Sequence, residues 1–315
     1  MTETPKIVPW KTDEIIAATG GDLVAGTVDG VFDGVAIDSR NIAPHELFVA
    51  IVGEVHDGHT FVNQVLEKGV RGVLLEKDKA GDLMAGSHAR RKLTIIAVND
   101  TTWALGDLAA FNRNRFPLKV IALTGSNGKT STRTMLTLVA EQRYETLSTM
   151  GNFNNQIGLP LTLLQLAETH ALAVLELGMN RSGEIRRLAD ICCPDIGMIT
   201  NVAPAHLEGL GSIEAILRAK GELLEGLYAN GQTILNADDP LVASLAGNAP
   251  GEVLLFGLSN KAAIRARHVR ENGLQLSFDL EVPGETARIT LATPGRFMIS
   301  NALAAAAAGY LMDIP

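Results

Sequence analysis

Short apolar runs alternate along this chain with stretches in which apolar residues return every three or four positions, the signature of strands separated by helices. In the first third, the runs at 35–37, 47–52, 72–75 and 93–98 read as strands, and 11–18, 60–68 and 101–115 as helices, the last ending before Pro117. A small α/β domain over 1–98 follows, with its boundary near residue 98. Beyond it, runs at 120–124, 172–177, 196–202, 233–236 and 253–256 are separated by helical patterns such as 212–225, which predicts a mostly parallel sheet covered by helices over 99–315. The runs at 264–268, 274–280 and 287–291 lie closer together, linked by Asn272-Gly273 and Pro283-Gly284, so they read as a small antiparallel appendage. An alanine-rich helix over 301–311 closes the chain.

One junction carries chemistry. The strand-like run that starts at Val120 stops at Thr124-Gly-Ser-Asn-Gly-Lys-Thr-Ser131 and leads into a helical pattern from Thr132. Gly125 and Gly128 would let backbone N–H groups approach an anion, and the helix behind them presents its positive end to the same place. Ser126, Asn127 and Ser131 complete that cradle, Lys129 supplies a point charge to the β- and γ-phosphates of ATP, and Thr130 a hydroxyl to Mg²⁺. Only two residues separate the glycines, where the familiar phosphate loop has four, so this is a shortened variant. The plain alternative is an ordinary strand-to-helix turn. The expected class is α/β, with a small N-terminal domain followed by a central P-loop ATPase-like domain.

Composition narrows the partners. The 315 residues are 46% apolar and 4% aromatic, an ordinary α/β balance. A net charge of -8 without long single-sign blocks argues against nucleic acid, and the densest basic cluster, Ala89-Arg-Arg-Lys92, reads as a solvated turn. The two cysteines, Cys192 and Cys193, are adjacent and lack metal-ligand spacing, which points to buried thiols. His56 and His59 are three apart in a loop with no third ligand, so no metal is expected there. The sequence from Met1 to Trp10 has no apolar core behind its charges, and no long apolar run follows, so a cytoplasmic protein without a membrane span is expected, monomeric by default.

In an open parallel sheet, ligands bind outside the carboxyl ends of the strands. The residues there are Lys129 and Thr130 after one strand, Glu176 at the end of another, and Asn201-Val-Ala-Pro-Ala-His206 after a third, with Lys220 on the helix beyond. A carboxylate, an imidazole and a hydroxyl around a triphosphate could hold Mg²⁺. Taken singly, Glu176 could equally cap a turn and His206 serve the structure. Asp38-Ser-Arg40 and Asp57-Gly-His59, in loops of the first domain, are likewise suited to ligand contact or to capping.

Together TGSNGKTS, GNFNNQIGLPLT from Gly151, LELGMNRSGEI from Leu175 and ITNVAPAHLEGLGSIEAILRAKGEL from Ile199 resemble the Mur ligases. The segments DSR at Asp38, LFVAIVGEVHDGHTF at Leu47 and NADDP at Asn236 extend the likeness, and the NFNN and LELGMN segments favour the dipeptide-adding branch over the diaminopimelate- or lysine-adding one. The resemblance implies that the terminal carboxylate of UDP-MurNAc-tripeptide attacks the γ-phosphate of ATP. The resulting acyl phosphate is then attacked by the amine of D-Ala-D-Ala. It assigns Thr130 and Glu176 to one Mg²⁺ and His206 to a second, makes Lys129 and His206 catalytic, and matches Lys220 to a lysine that carries a metal-binding carbamate in several relatives. It points to Ser39 and Arg40 for the UDP end of the substrate and to Asn152 and Asn155 along the muramoyl peptide.

Two departures are visible. Relatives carry G-R-H-N-x-x-N-A-L-A-A before the last helix, whereas this chain has Gly295-Arg-Phe-Met-Ile-Ser-Asn-Ala-Leu-Ala-Ala305; Asn301 keeps the later asparagine of that ATP-binding segment, with Phe297 and Met298 in place of its histidine and first asparagine. Adenine recognition should differ accordingly, or rest on stacking against Phe297. The family also has a third, C-terminal domain that closes the cleft; with the sequence ending at Pro315, this chain alone is expected to bind ligands but to ligate poorly. A non-catalytic module binding ATP or a UDP-linked precursor is the alternative. Another ligase of the superfamily, such as a folylpolyglutamate synthase, is a third reading, opposed by the DSR and DGH segments.

Overall fold

The computed structural model describes residues 8–85, 93–205 and 207–315. The basic cluster at 89–92 and His206 lie outside the described residues. The chain forms two compact units, Met1–Phe116 with Leu163–Glu168, and Pro117–Thr162 with Thr169–Pro315.

The first unit is built on a five-stranded sheet in the order Asp22–Ala25, Thr94–Val98, Gly72–Glu76, Glu46–Val49, Gly34–Ala36, of which the last four are mutually parallel and the first antiparallel. Phe48, Val73, Leu75 and Ile95 form its core with Val62 and Val65 of the helix Val62–Glu67. The helix Thr101–Asn114 belongs to this unit as well, so the division falls at Phe116 and not near residue 98. The reason lies in long-range contacts. Thr101 donates its hydroxyl to the Ala50 carbonyl at 2.8 Å, and the Arg115 guanidinium lies 4.0 Å over the Trp10 ring while bonding Glu14 at 2.7 Å.

The second unit carries a nine-stranded sheet in the order Thr146–Ser148, Leu172–Glu176, Lys119–Thr124, Ile196–Ile199, Gln232–Asn236, Val253–Gly257, Ile264–Asn272, Gln275–Val282, Glu285–Leu291. The strands are parallel as far as Ile264–Asn272, and the last two pairings are antiparallel. The antiparallel hairpins therefore continue the main sheet. Strands 172–176 and 196–199 are buried at every position, as expected of parallel strands covered on both faces. On one face, Leu136 and Ala140 of the helix Lys129–Ala140 and Leu303 and Ala307 of the helix Phe297–Leu311 pack on Ile121, Leu123 and Val174. On the other, Leu223 of the helix Ile213–Glu225 lies against Gly197.

This order fixes where a ligand can sit. From strand 119–124 the chain runs out to the sheet edge and back through 172–176, then crosses to 196–199 on the opposite side of its starting strand. Connections leave the neighbours 119–124 and 196–199 in opposite directions, so a crevice opens beyond their carboxyl ends.

Candidate functional site

The loop at the carboxyl end of strand 119–124 is held from behind by the next strand's tail. Asn201 receives the Asn127 N–H on its side-chain oxygen at 2.8 Å and returns its amide to the Asn127 carbonyl at 2.8 Å. Ser126 bonds the Ala203 carbonyl at 3.0 Å and accepts the Ala203 N–H at 2.9 Å. Such pairing aims the loop outward. Gly125 leaves no room for a side chain, since a Cβ there would come within 2.0 Å of Thr200 Oγ1. Gly128 caps the helix Lys129–Ala140 with φ of 76°, and its Cβ would lie 2.5 Å from Asn301 Oδ1. The first bond of the turn runs from the Thr132 N–H to the Gly128 carbonyl at 2.8 Å, which leaves the preceding N–H groups without intrahelical acceptors. An anion is the natural partner for that helix end.

Lys129 folds back so that its ammonium donates to the Gly125 carbonyl at 2.9 Å, inside the loop. Burial lowers its pKa below the ordinary lysine value, while Glu176 pulls it back up. Thr130 donates its hydroxyl to Glu176 Oε2 at 3.1 Å, so two hard oxygen donors stand side by side at the mouth of the loop. That donor set suits a hard divalent cation such as Mg²⁺. Ser131 follows in the first turn of the helix.

Glu176 is buried, and four groups around it explain how. Thr130 and the Asn154 amide, at 2.8 Å, bond its two oxygens; the Thr149 hydroxyl accepts its N–H at 3.0 Å; and Arg133 stands 3.6 Å away with its guanidinium tied to the Gly151 carbonyl. A charge this buried requires such partners. Of these, Asn154 sits in the asparagine-rich segment, one residue from the expected Asn155, and Arg133 lies one helical turn after Thr130. Helical spacing could have found Arg133; nothing local marks Thr149.

Lys220 is the largest anomaly. It is 1% exposed within the helix Ile213–Glu225, and burial, with the Lys129 charge adding to it, brings its pKa down to about 7. Such an amine gives up its proton far more readily than an exposed lysine does.

Asn301 is also buried, close against the loop at Gly128. Its oxygen accepts from Thr132 Oγ1 at 3.2 Å, and its amide nitrogen lies 3.6 Å from Met298 Sδ. Phe297 and Met298 open the last helix, with Phe297 exposed. Asn152 is exposed after the strand Thr146–Ser148, and Asn155 accepts the Ile157 and Gly158 N–H groups at 3.1 and 2.8 Å, capping the next helix.

In the first unit, Ser39 is buried near Gln64, and Lys68 bonds the Ser39 and Arg40 carbonyls, each at 2.7 Å. The exposed Arg40 guanidinium grips Asp38 with two bonds of 2.9 and 3.0 Å. His59 is a structural residue, its ring between Asp57 Oδ1 at 2.6 Å and the Glu76 N–H at 3.0 Å. Both cysteines are free thiols, and among the described residues no helix is long and apolar enough to cross a membrane.

The Mur ligase middle-domain model matches residues 123–309, and the model of the Mur ligase family, catalytic domain, matches 31–113. Among curated proteins, the UDP-N-acetylmuramoyl-tripeptide--D-alanyl-D-alanine ligase of Escherichia coli strain K12 is 38% identical over 292 residues, covering 91% of this chain and 62% of its own length. The chain thus spans about three fifths of the length of such relatives. Of solved structures, MurF from Acinetobacter baumannii superposes with a TM-score of 0.90 at 31% identity, over 98% of this chain and 66% of that one. A MurF ligase from Thermotoga maritima in complex with ADP shares the fold, with a TM-score of 0.80 at 24% identity over 90% of this chain and 64% of that one.

Proposed function

The chain belongs to the Mur ligase family, and from that premise we propose that it works in an ATP-dependent amide ligase joining D-Ala-D-Ala to UDP-MurNAc-tripeptide. The observation that carries this reading is the meeting of Lys129, Thr130 and Glu176 at one strand edge, behind a helix end that leaves N–H donors free.

The chemistry joins two anions before it makes an amide. A substrate carboxylate oxygen bonds the γ-phosphorus and ADP leaves; the amine nitrogen then bonds the acyl carbon, phosphate leaves, and the nitrogen gives up a proton. The first step asks for charge neutralisation and alignment, and the loop N–H groups with Lys129 supply both. Thr130 and Glu176 would hold Mg²⁺, which would supply further charge neutralisation for the phosphoryl transfer. His206 and Lys220 are assigned to a second ion by family likeness. A lysine whose pKa burial brings down to about 7 suits carbamate formation, since the neutral amine adds to CO₂ with loss of a proton, turning a cation into an oxygen ligand. Arg133 and Asn154 are positioning residues that keep the Glu176 carboxylate facing Thr130.

Ser39 and Arg40 would meet the UDP end, where an arginine fork matches a diphosphate once it exchanges Asp38 for phosphate. Asn152 and Asn155 would line the peptide path. The deciding experiment gives the full-length gene product ATP, Mg²⁺, UDP-MurNAc-tripeptide and D-Ala-D-Ala, and follows phosphate release and product mass. Stoichiometric ligation with loss of activity in Lys129→Ala is expected, with ADP binding lost and the circular dichroism spectrum kept. Wild-type turnover by Lys129→Ala would overturn the phosphate-loop assignment, and nucleotide binding without phosphate release for any amine would favour a binding module.

A further inference from the structure

One carboxylate that the chemistry above does not use gathers the start of a neighbouring helix. Glu222, half-buried in the helix Ile213–Glu225, accepts the Ser182 hydroxyl and the Gly183 N–H on Oε1, both at 2.8 Å, and the Arg186 N–H on Oε2 at 3.2 Å. Gly183 opens the helix Glu184–Cys192 with φ of 88° and has no side chain to cap it, so the other helix supplies the acceptor for these N–H groups. From within, Glu184 accepts the Asn180 and Arg181 N–H groups at 2.6 and 3.2 Å. The segment held in this way is the loop that leaves Glu176. It also abuts the chain just beyond His206, where a Cβ on Gly209 would lie 2.3 Å from the Asn180 carbonyl oxygen.

Lys220 lies two residues before Glu222 on the same helix. It is buried and feels the Lys129 charge, so the two cations stand near one another across the phosphate-loop side of the sheet. Burial and like charge both oppose that placement, and contacts elsewhere on the helix have to hold it. Three hydrogen bonds converging on one carboxylate do so in rotation and along the helix axis, because each weakens steeply with misalignment. Resting on the ligase reading above, we propose that Glu222 is a positioning residue for the ligation: by tying the helix of Lys220 to the loop that leaves Glu176, it sets the spacing across which the substrate carboxylate and the phosphates are aligned. Alignment of reacting groups is sensitive to such ties, since a displacement of about 1 Å costs roughly a hundredfold in rate.

The test compares Glu222→Ala, Glu222→Gln, Ser182→Ala and Glu225→Ala, in this chain and in the full-length gene product. In this chain, Glu222→Ala should leave calorimetric ADP binding within about twofold, since none of the bonds it removes reaches the phosphate loop. Lys220, buried in the parent, should react about tenfold faster with acetic anhydride in CO₂-free buffer, read by peptide mass mapping. In the full-length product kcat should fall roughly a hundredfold while KM for ATP stays within about twofold. Glu222→Gln keeps the oxygen that serves Ser182 and Gly183, and Ser182→Ala removes one bond of the set, so both should lie between the parent and Glu222→Ala. Glu225 bonds the Arg186 guanidinium at 3.2 Å on the exposed rim of the same two helices, and Glu225→Ala should behave as the parent does. A lower melting temperature with unchanged kcat in Glu222→Ala would overturn the proposal, as would a loss of kcat in Glu222→Gln or in Glu225→Ala equal to that in Glu222→Ala. Should Glu222→Ala fail to fold, Glu222→Gln and Ser182→Ala decide by the same split between kcat and KM. Absence of ligation by the full-length parent would instead remove the ligase reading on which the proposal stands.

Discussion

Replacing Lys220 by methionine should stabilise the protein at neutral and acid pH, and the gain should vanish toward alkaline pH. The amine of Lys220 titrates near 7 in the folded chain against an ordinary value of 10.5, because the helix buries it beside the Lys129 charge. At about 1.4 kcal/mol per decade, that depression corresponds to an upper value on the order of 5 kcal/mol. The sign follows from proton counting. Between pH 7 and 10.5 the unfolded chain holds one proton more than the folded chain, so stability rises with pH across that window. Below it both states are protonated and the full cost of a buried ammonium is present; above it neither is, and the cost is gone. Methionine matches the lysine stem in length and carries no charge, so the variant lacks the whole dependence. Urea unfolding followed by far-ultraviolet circular dichroism, in chelator and CO₂-free buffer, gives the difference between the two proteins at each pH. The expected curve is flat and in favour of Lys220→Met at pH 6, and falls by about 1.4 kcal/mol per pH unit above 7 until it levels off. A difference that does not change with pH, or a variant less stable throughout, would refute the argument that burial sets this lysine's charge.

Gly128→Ala should cost about 1–2 kcal/mol for the left-handed backbone alone, and the new methyl would displace Asn301, 2.5 Å away, so a lowered melting temperature and at least tenfold weaker ADP binding are expected together. A variant that binds ADP normally would show that the turn does not need glycine. Arg40→Ala should raise KM for the UDP-substrate, since charge-assisted hydrogen bonds are worth about 1.5–3 kcal/mol, or roughly tenfold to a hundredfold, and should leave KM for ATP alone. Equal effects on both would move Arg40 out of the UDP end.

Strand and helix types in both units follow the sequence periodicity closely, because parallel strands buried on both faces leave unbroken apolar runs such as 172–175. What periodicity missed is informative. The strand Asp22–Ala25 alternates between exposed and half-buried positions over only four residues, too short to stand out, and it is recognisable only through its antiparallel pairing with Thr94–Val98. The helix Thr101–Asn114 was legible as a helix but not as part of the first unit, since that depends on Trp10, Glu14 and Ala50 meeting its ends. Local pattern encodes which face of an element is apolar, and says little about which neighbour covers it.

The site divides in the same way. Lys129, Thr130 and Glu176 were legible because strand ends collect polar residues in a parallel sheet, and the fold needs only its strand order to bring them together. Asn301 has a structural part that its motif does not state. Its side chain packs against the φ-positive Gly128 and bonds Thr132, so it shapes the loop from behind. Ser126 and Asn201 brace the same loop from the neighbouring strand's side, so its shape is held by contacts far apart in sequence that no local pattern announces.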